Sequence, residues 1–170
     1  MAKALLITRD DIVKKTALNG NVDVDLFIQF VNIAQDTHIQ NYLGTDLLEK
    51  IQALIVAGTL DDVANADYKA LLLDYVKSML IHWAMVEYLP FSAYTVANKG
   101  VFKHTAESSE TVQKNEVDFL IEKQRITAEN YSQRFVDYMS FNSSSFPEYH
   151  TNSGADVYPI SNTNIGGWYL

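Results

Sequence analysis

The four histidines are the first side chains to examine for chemistry, because histidine titrates near neutral pH and is a common metal ligand. They are His38, His82, His104 and His150, and they lie in four different segments. No pair has the His-Glu-x-x-His spacing or another short metal-ligand spacing. His82 lies beside Trp83 in an apolar segment, which is typical of a packed or helix-surface histidine. The histidines therefore predict no metal site.

Alternating oxygen ligands near the N-terminus suggest a calcium loop. The segment Asn19-Gly20-Asn21-Val22-Asp23-Val24-Asp25 has the side chains for it. An EF-hand needs glycine at the sixth position and glutamate at the twelfth, but these positions hold Val24 and Phe30. A turn followed by a helix cap at Asp23 is the better interpretation.

The remaining motifs with chemical potential have structural explanations. The pairs Asp10-Asp11 and Asp61-Asp62 lie at a helix start and in a polar connection, where capping and solubility account for them. Asn98-Lys99-Gly100 is neither a Walker loop nor a dinucleotide fingerprint, and no Gly-x-Ser-x-Gly elbow occurs. The sequence predicts no enzymatic activity, no catalytic residue and no cofactor.

Composition limits the classes of protein further. The 170 residues suit one domain, and 48% hydrophobic residues can bury a core. A net charge of -8 disfavours sequence-specific nucleic-acid binding, although an acidic wall could guide DNA without adhering to it. Cysteine is absent, which excludes disulfides and thiolate metal sites. Charged residues interrupt the apolar stretch from Leu71 to Leu89, so no membrane span is predicted.

The elements that must position any binding surface are mainly helical. Thr8 is placed to cap a first helical turn after the extended segment Leu5-Leu6-Ile7. Apolar spacing predicts about four longer helices. They run from Asp23 to Tyr42 before Gly44, from a Thr45 cap to Gly58, from Asp67 to about Leu89 before Pro90, and from about Thr111 to Phe141. The third is apolar nearly all round, which indicates a central helix or one covered by another subunit.

Residues 91–104 differ in character from the helices. Two runs typical of strands flank a turn-like centre, so we expect a projecting β-hairpin or loop. The interface candidates in this segment are Tyr94, Val96, Val101 and Phe102.

Residues 142–170 form the most unusual segment. They are rich in serine, threonine and asparagine, lack lysine and arginine, and yet carry spaced aromatic residues. This pattern predicts an extended docking tail, attached to a helical domain of residues 1–141, with apolar anchors for a groove or a neighbouring subunit. Residues 157–160 could add to the edge of a partner's sheet. The predicted anchors are Phe146, Tyr149, Tyr158, Ile160, Trp168 and Tyr169.

Three features together resemble a known family. They are a helix that ends in Asn41-Tyr42-Leu43-Gly44, an immediate second helix with Asp46-Leu47-Leu48-x-x-Ile51, and the long helix from Tyr68 to Tyr88. This arrangement is similar to bacteriophage head–tail connector proteins, also called head-completion or adaptor proteins. The similarity covers about residues 5–140.

The resemblance implies a virion structural protein made in the host cytoplasm. It implies a ring of about twelve copies below the portal protein, in contact with tail or further connector proteins, with DNA passing through the channel unbound. The second apolar face of the central helix would serve the ring interface. An alternative class is a small helical regulatory or adaptor protein that acts as a monomer or dimer through a peptide groove.

Overall fold

The structure is a computed structural model that describes residues 3–15, 24–92, 94–97, 100–103 and 114–161. It is mainly helical, as predicted. The helices are α1 (Arg9–Lys15), α2 (Val24–Ala34), α3 (Gln40–Leu43), α4 (Thr45–Ala57), α5 (Ala66–Leu71), α6 (Lys77–Tyr88) and α7 (Lys114–Asn142). Turns of π-helix, Gln35–Ile39 and Leu72–Val76, join α2 to α3 and α5 to α6. The calcium-like loop at residues 19–25 lies largely outside the described residues.

The N-terminal segment is held by glutamine side chains. Gln35, which is buried in the π turn, accepts a hydrogen bond from the Leu6 amide and donates one to the Ala4 carbonyl, both at 3.1 Å. Leu6 and Ile7 are thereby buried in the core. Thr8 caps α1 as predicted: its hydroxyl accepts from the Asp11 amide, and the Asp11 carboxylate accepts from the Thr8 amide.

Helix α6 is the centre of the bundle. It packs against α2 on one side and α7 on the other, which explains its apolar circumference. From Leu71, at the end of α5, to the end of α6, the apolar side chains are largely buried within this chain. The expected second apolar face of this helix is therefore core, and it leaves little apolar surface for a ring interface.

Two glycines end helices, as the sequence predicts. Gly58 adopts a left-handed conformation after α4, and its amide bonds to carbonyls of the last turn. Gly44, with φ 76° and ψ 161°, ends α3 and begins α4. The prediction that Thr45 caps α4 is wrong, because Thr45 is the first helical residue and its hydroxyl bonds elsewhere.

Residues 142–150 correct the predicted domain boundary at residue 141. Helix α7 ends at Asn142 and is followed by two short 3-10 turns, Ser143–Ser145 and Pro147–His150. Phe146 is fully buried and Tyr149 is 7% exposed, and both belong to the main hydrophobic core. The core therefore extends about nine residues beyond the boundary that composition suggested. Burial of two aromatic side chains is favourable enough to hold the polar residues around them against the bundle.

Candidate assembly surface

The paired strands carry four of the predicted interface residues. Tyr94–Ala97 (β1) pairs antiparallel with Gly100–Lys103 (β2), with Val96 opposite Val101 and Thr95 opposite Phe102. The side chains of Tyr94, Val96, Val101 and Phe102 are outside the description. Their role in contacts with other subunits stays a prediction, as does the projection of this segment from the bundle.

The first half of α7 exposes several large apolar side chains. From Glu116 to Thr127 no described side chain is buried. Phe119 is 69% exposed, Leu120 47% and Ile126 45%. At 1.5 Å per residue this part of the helix is about 20 Å long. Periodicity indicates an apolar face without identifying what covers it, and the described part of this chain leaves these three side chains largely exposed.

The exposed face of α7 points away from the core of this chain. Phe119 and Ile126 are seven residues apart and share one side of the helix, whereas Ala128 and Phe135, which are buried, lie on the opposite side. Helix α7 thus has an inner face in its second half and an outer apolar face in its first half. We call Phe119, Leu120 and Ile126 the outer face of α7.

A weak ion pair flanks this outer face. Arg125 lies 3.5 Å from Glu122, and both side chains are about half exposed. Both residues lie on α7, and an ion pair in this exposed setting contributes little free energy. A partner would therefore break only a weak bond between these two side chains when it reached the outer face.

The predicted anchors of the tail have three different outcomes. The prediction that Phe146 and Tyr149 anchor the tail to a neighbour is wrong, because both side chains are buried in the core of their own chain. Tyr158 and Ile160 are exposed and remain candidates. Trp168 and Tyr169 lie outside the described residues.

Core aromatics fix the segment of Phe146 and Tyr149 in place. The Phe146 ring packs edge-on against Tyr68, and the Tyr68 hydroxyl donates a 2.7 Å hydrogen bond to the Glu148 carboxylate. Burial, and then the bond to Glu148, raises the pKa of Tyr68 to about 12. The segment is therefore joined to α5 by packing and by a polar contact.

Residues 157–160, which we call the strap, dock at the junction of α3 and α4. The Thr45 amide donates to the Val157 carbonyl at 3.0 Å, and the Val157 amide donates to the Thr45 hydroxyl at 3.1 Å. The Ile160 amide donates to the Asn41 carbonyl at 2.8 Å. Within this chain the strap pairs with a helix junction, and its addition to the edge of a partner's sheet stays a prediction.

Glycine at position 44 makes room for the strap. A Cβ atom there would lie 2.8 Å from both Cγ and Cδ of Pro159. The Tyr42-Leu43-Gly44 motif therefore does more than end a helix, because its glycine lets the backbone of the junction approach the proline ring. No sequence signal connects residue 44 to residue 159, so the sequence did not predict this contact.

The interior polar groups are paired with one another. The His38 ring stacks on Trp83 at 4.0 Å and lies 2.8 Å from a Glu87 oxygen. Trp83 donates to the Ser132 hydroxyl, which in turn donates to the Ala128 carbonyl. His82 stacks on Tyr131, as expected for a packed histidine. Within the described ranges no cluster of three or more metal-binding side chains occurs, and no helix is long and apolar enough to cross a bilayer.

These features define a helical protein with exposed apolar side chains on α7 and a docked strap. Residues 39–159 match the model of a family of unknown function, DUF6712, and the chain belongs to that family. The match begins just before the Tyr42-Leu43-Gly44 motif and ends at Pro159, so it includes both sides of the strap contact. No curated protein and no solved structure matched the chain.

Proposed function

We propose that this protein is a structural subunit of a bacteriophage head–tail junction. Copies of it form a ring below the portal, join head to tail and extend the channel through which DNA passes. The observation that carries the proposal is the outer face of α7. The resemblance of the Tyr42-Leu43-Gly44 region to head–tail connector proteins supports the class of assembly.

The outer face of α7 has the properties of an interface between subunits. Its three large apolar side chains are 45–69% exposed, and covering them with a partner would be favourable because it removes apolar surface from water. Phenylalanine is among the residues enriched in interfaces. In a ring every copy presents the same surfaces, so one patch of this kind on each subunit contributes to every contact.

The charge of the protein supports a channel role. A net charge of -8 gives an electrostatic field that repels phosphates, so DNA can pass a wall of this protein without binding to it. We therefore expect no measurable affinity for duplex DNA at physiological salt. Tight DNA binding by the purified protein would contradict the channel role but not the proposed assembly into a ring.

Size measurement tests the proposal directly. The purified protein is analysed by light scattering, alone and after mixing with the portal and tail proteins encoded by neighbouring genes. The proposal predicts a particle of many copies, alone or on the portal. A 19.2 kDa monomer under all of these conditions would overturn it.

A second candidate function rests on the strap. The junction at Gly44 accepts an extended Val-Tyr-Pro-Ile segment through backbone hydrogen bonds, which is how peptide grooves work. A regulatory or adaptor protein could use such a groove as a monomer or dimer. Absence of the protein from purified phage particles, measured by mass spectrometry, would favour this function over the structural one.

A further inference from the structure

We propose that two copies of the free protein pair through α7, with the two helices antiparallel and related by a two-fold axis at Asn130. The occupant of the outer side of α7 is thus a second copy of this chain. The inference goes beyond the proposed function, because it concerns the protein before it joins a ring on the portal.

The outer face of α7 is part of a longer exposed stripe. At about 100° per residue, its members lie within about 40° of Asn130 around the helix, on the side opposite the buried Ala128 and Phe135. We call these exposed residues the α7 stripe: Phe119, Lys123, Ile126, Asn130, Asp137 and Phe141. Phe141 is 88% exposed, so a large aromatic ring stands in water at each end of the stripe. The stripe is about 33 Å long.

The stripe has the same order of chemistry when it is counted in either direction from Asn130. Phe119 lies eleven residues before this position, and Phe141 lies eleven residues after it. Lys123 lies seven residues before it, and Asp137 lies seven residues after it. An aromatic residue therefore has an aromatic counterpart, and a base has an acid. A two-fold contact requires a surface that complements itself, and this order meets the requirement when the two helices are antiparallel.

Charge selects the antiparallel direction. In an antiparallel pair centred on Asn130, Lys123 of each copy faces Asp137 of the other, which gives two ion pairs. In a parallel pair each of these residues would face its own counterpart, and two contacts between like charges would oppose association. The Asp137 carboxylate accepts a 2.7 Å hydrogen bond from the Gln133 side chain of its own helix, and a carboxylate can accept several bonds at once.

The apolar side chains of the stripe also have counterparts. Phe119 of each copy meets Phe141 of the other, and aromatic residues are enriched in interfaces. Ile126, four residues before Asn130, faces Arg134, four residues after it, whose carbon stem can cover an apolar side chain while its charge stays in water. The two Asn130 side chains meet at the axis, where polar asparagines fix the register of paired helices. The exposed side of α7 is thus complementary to itself along its length.

The pair and the ring use α7 in turn. A two-fold contact closes on itself, whereas a ring needs a contact that passes from each subunit to the next. Because both would cover the outer face of α7, the pair must open before its subunits join a ring. Pairing therefore keeps the free protein from assembling away from the portal.

Sedimentation velocity of the full chain over a range of concentrations measures the pair. A contact along a single helix is small, so we expect a dissociation constant of about 1–100 µM. Lys123→Asp should raise this constant about tenfold, because it replaces two ion pairs by two repulsions, and Asp137→Lys should do the same. The double variant Lys123→Asp/Asp137→Lys restores both ion pairs in the reversed sense, and its constant should return to within about threefold of the natural value.

Two results of this experiment would overturn the proposal. One is a natural protein that stays a 19.2 kDa monomer up to about 1 mM. The other is a double variant that pairs no more tightly than the two single variants.

Disulfide formation locates the axis, since the natural chain has no cysteine. In a close helix pair, facing Cα atoms at the axis lie about 4–6 Å apart, so Asn130→Cys places two thiols within reach of a disulfide. Arg134→Cys is the matched control at an exposed position of the same side of α7. Its two copies lie four residues on either side of the axis, about 12 Å apart along the helices, which is too far. Mild oxidation should therefore link Asn130→Cys faster than Arg134→Cys, and equal rates would overturn antiparallel pairing.

Failure of the pair and failure of the proposed function give different results. A particle on the portal, formed from a protein that is monomeric when free, rejects the pair and leaves the proposed function standing. A pair that forms as described, with no larger particle in the presence of the portal, supports this inference and contradicts the proposed function.

Discussion

Gly44 combines two roles at a single position. Its backbone conformation, φ 76° and ψ 161°, belongs to a region that is almost exclusive to glycine, and its missing side chain accommodates Pro159. Gly58 also has positive φ, but nothing lies within 4 Å of a Cβ built there. Both glycines thus have positive φ, but only Gly44 combines a conformation almost exclusive to glycine with contact to the strap.

We expect Gly44→Ala to lower the free energy of unfolding by about 2–4 kcal/mol, because it adds a steric conflict to an unfavourable backbone conformation. The matched variant Gly58→Ala is expected to cost about 1 kcal/mol, for the left-handed backbone alone. Urea unfolding of both variants measures the difference. Equal costs would show that neither the rarer backbone conformation of Gly44 nor its contact with Pro159 adds to the cost.

Tyr68 makes the stability of the fold depend on pH in the alkaline range. Its pKa is raised to about 12, against about 10 in an unfolded chain. A proton held more tightly in the folded state stabilises the fold below pH 10, and this contribution is lost as pH rises from 10 to 12.

Tyr68→Phe should lower stability at pH 8 by about 1 kcal/mol, through loss of the hydrogen bond to Glu148. The variant should also lose less stability than the natural protein between pH 9 and 11, since it lacks the group that titrates. Urea unfolding across this range provides both values. An unchanged slope with pH would mean that other tyrosines dominate the alkaline response.

At the scale of elements, residues 143–150 belong to the core and the strap lies on its surface. A polar, aromatic-containing tail predicted a single docking segment, but the structure divides it into a buried part and a surface part. Truncation at Asn142, at the predicted end of the helical domain, would remove Phe146 and Tyr149 from the core. Truncation after His150 would spare both.

Phe146→Ala is expected to lower the free energy of unfolding by about 3–5 kcal/mol, the usual cost of removing a fully buried aromatic ring. Tyr158→Ala, at an exposed position in the same tail, should cost about 0.5 kcal/mol. Thermal unfolding of the pair tests the division. Similar small losses in both variants would show that the whole tail lies on the surface.

The sequence predicted the elements better than their contacts. Apolar residues all around α6 indicated a central helix, Gly58 and Pro90 marked helix ends, and Thr8 capped α1, because each depends on local physics. The roles of Thr45 and Phe146 were predicted wrongly, because both depend on contacts between distant parts of the chain. Periodicity and propensity say that a side chain needs a partner, and they do not say whether the partner is solvent, the same chain or another copy.

At the scale of the whole molecule, the exposed apolar surface lies on a different helix from the one that the sequence suggested. The central helix has little free apolar surface, while the first half of α7 has an outer face that nothing in the described part of this chain covers. This exposed face supports the proposal that the protein reaches its final form by association.

The central claim is that the outer face of α7 drives this association, and native mass spectrometry of two matched variants tests it most directly. In Phe119→Ser/Ile126→Ser the outer face loses its apolar side chains, whereas Val56→Ser/Val63→Ser removes two exposed apolar residues elsewhere. Circular dichroism confirms that both variants fold. We predict that the α7 variant yields 19 kDa subunits and that the control forms the same particle as the natural protein. Normal assembly of the α7 variant would contradict the claim.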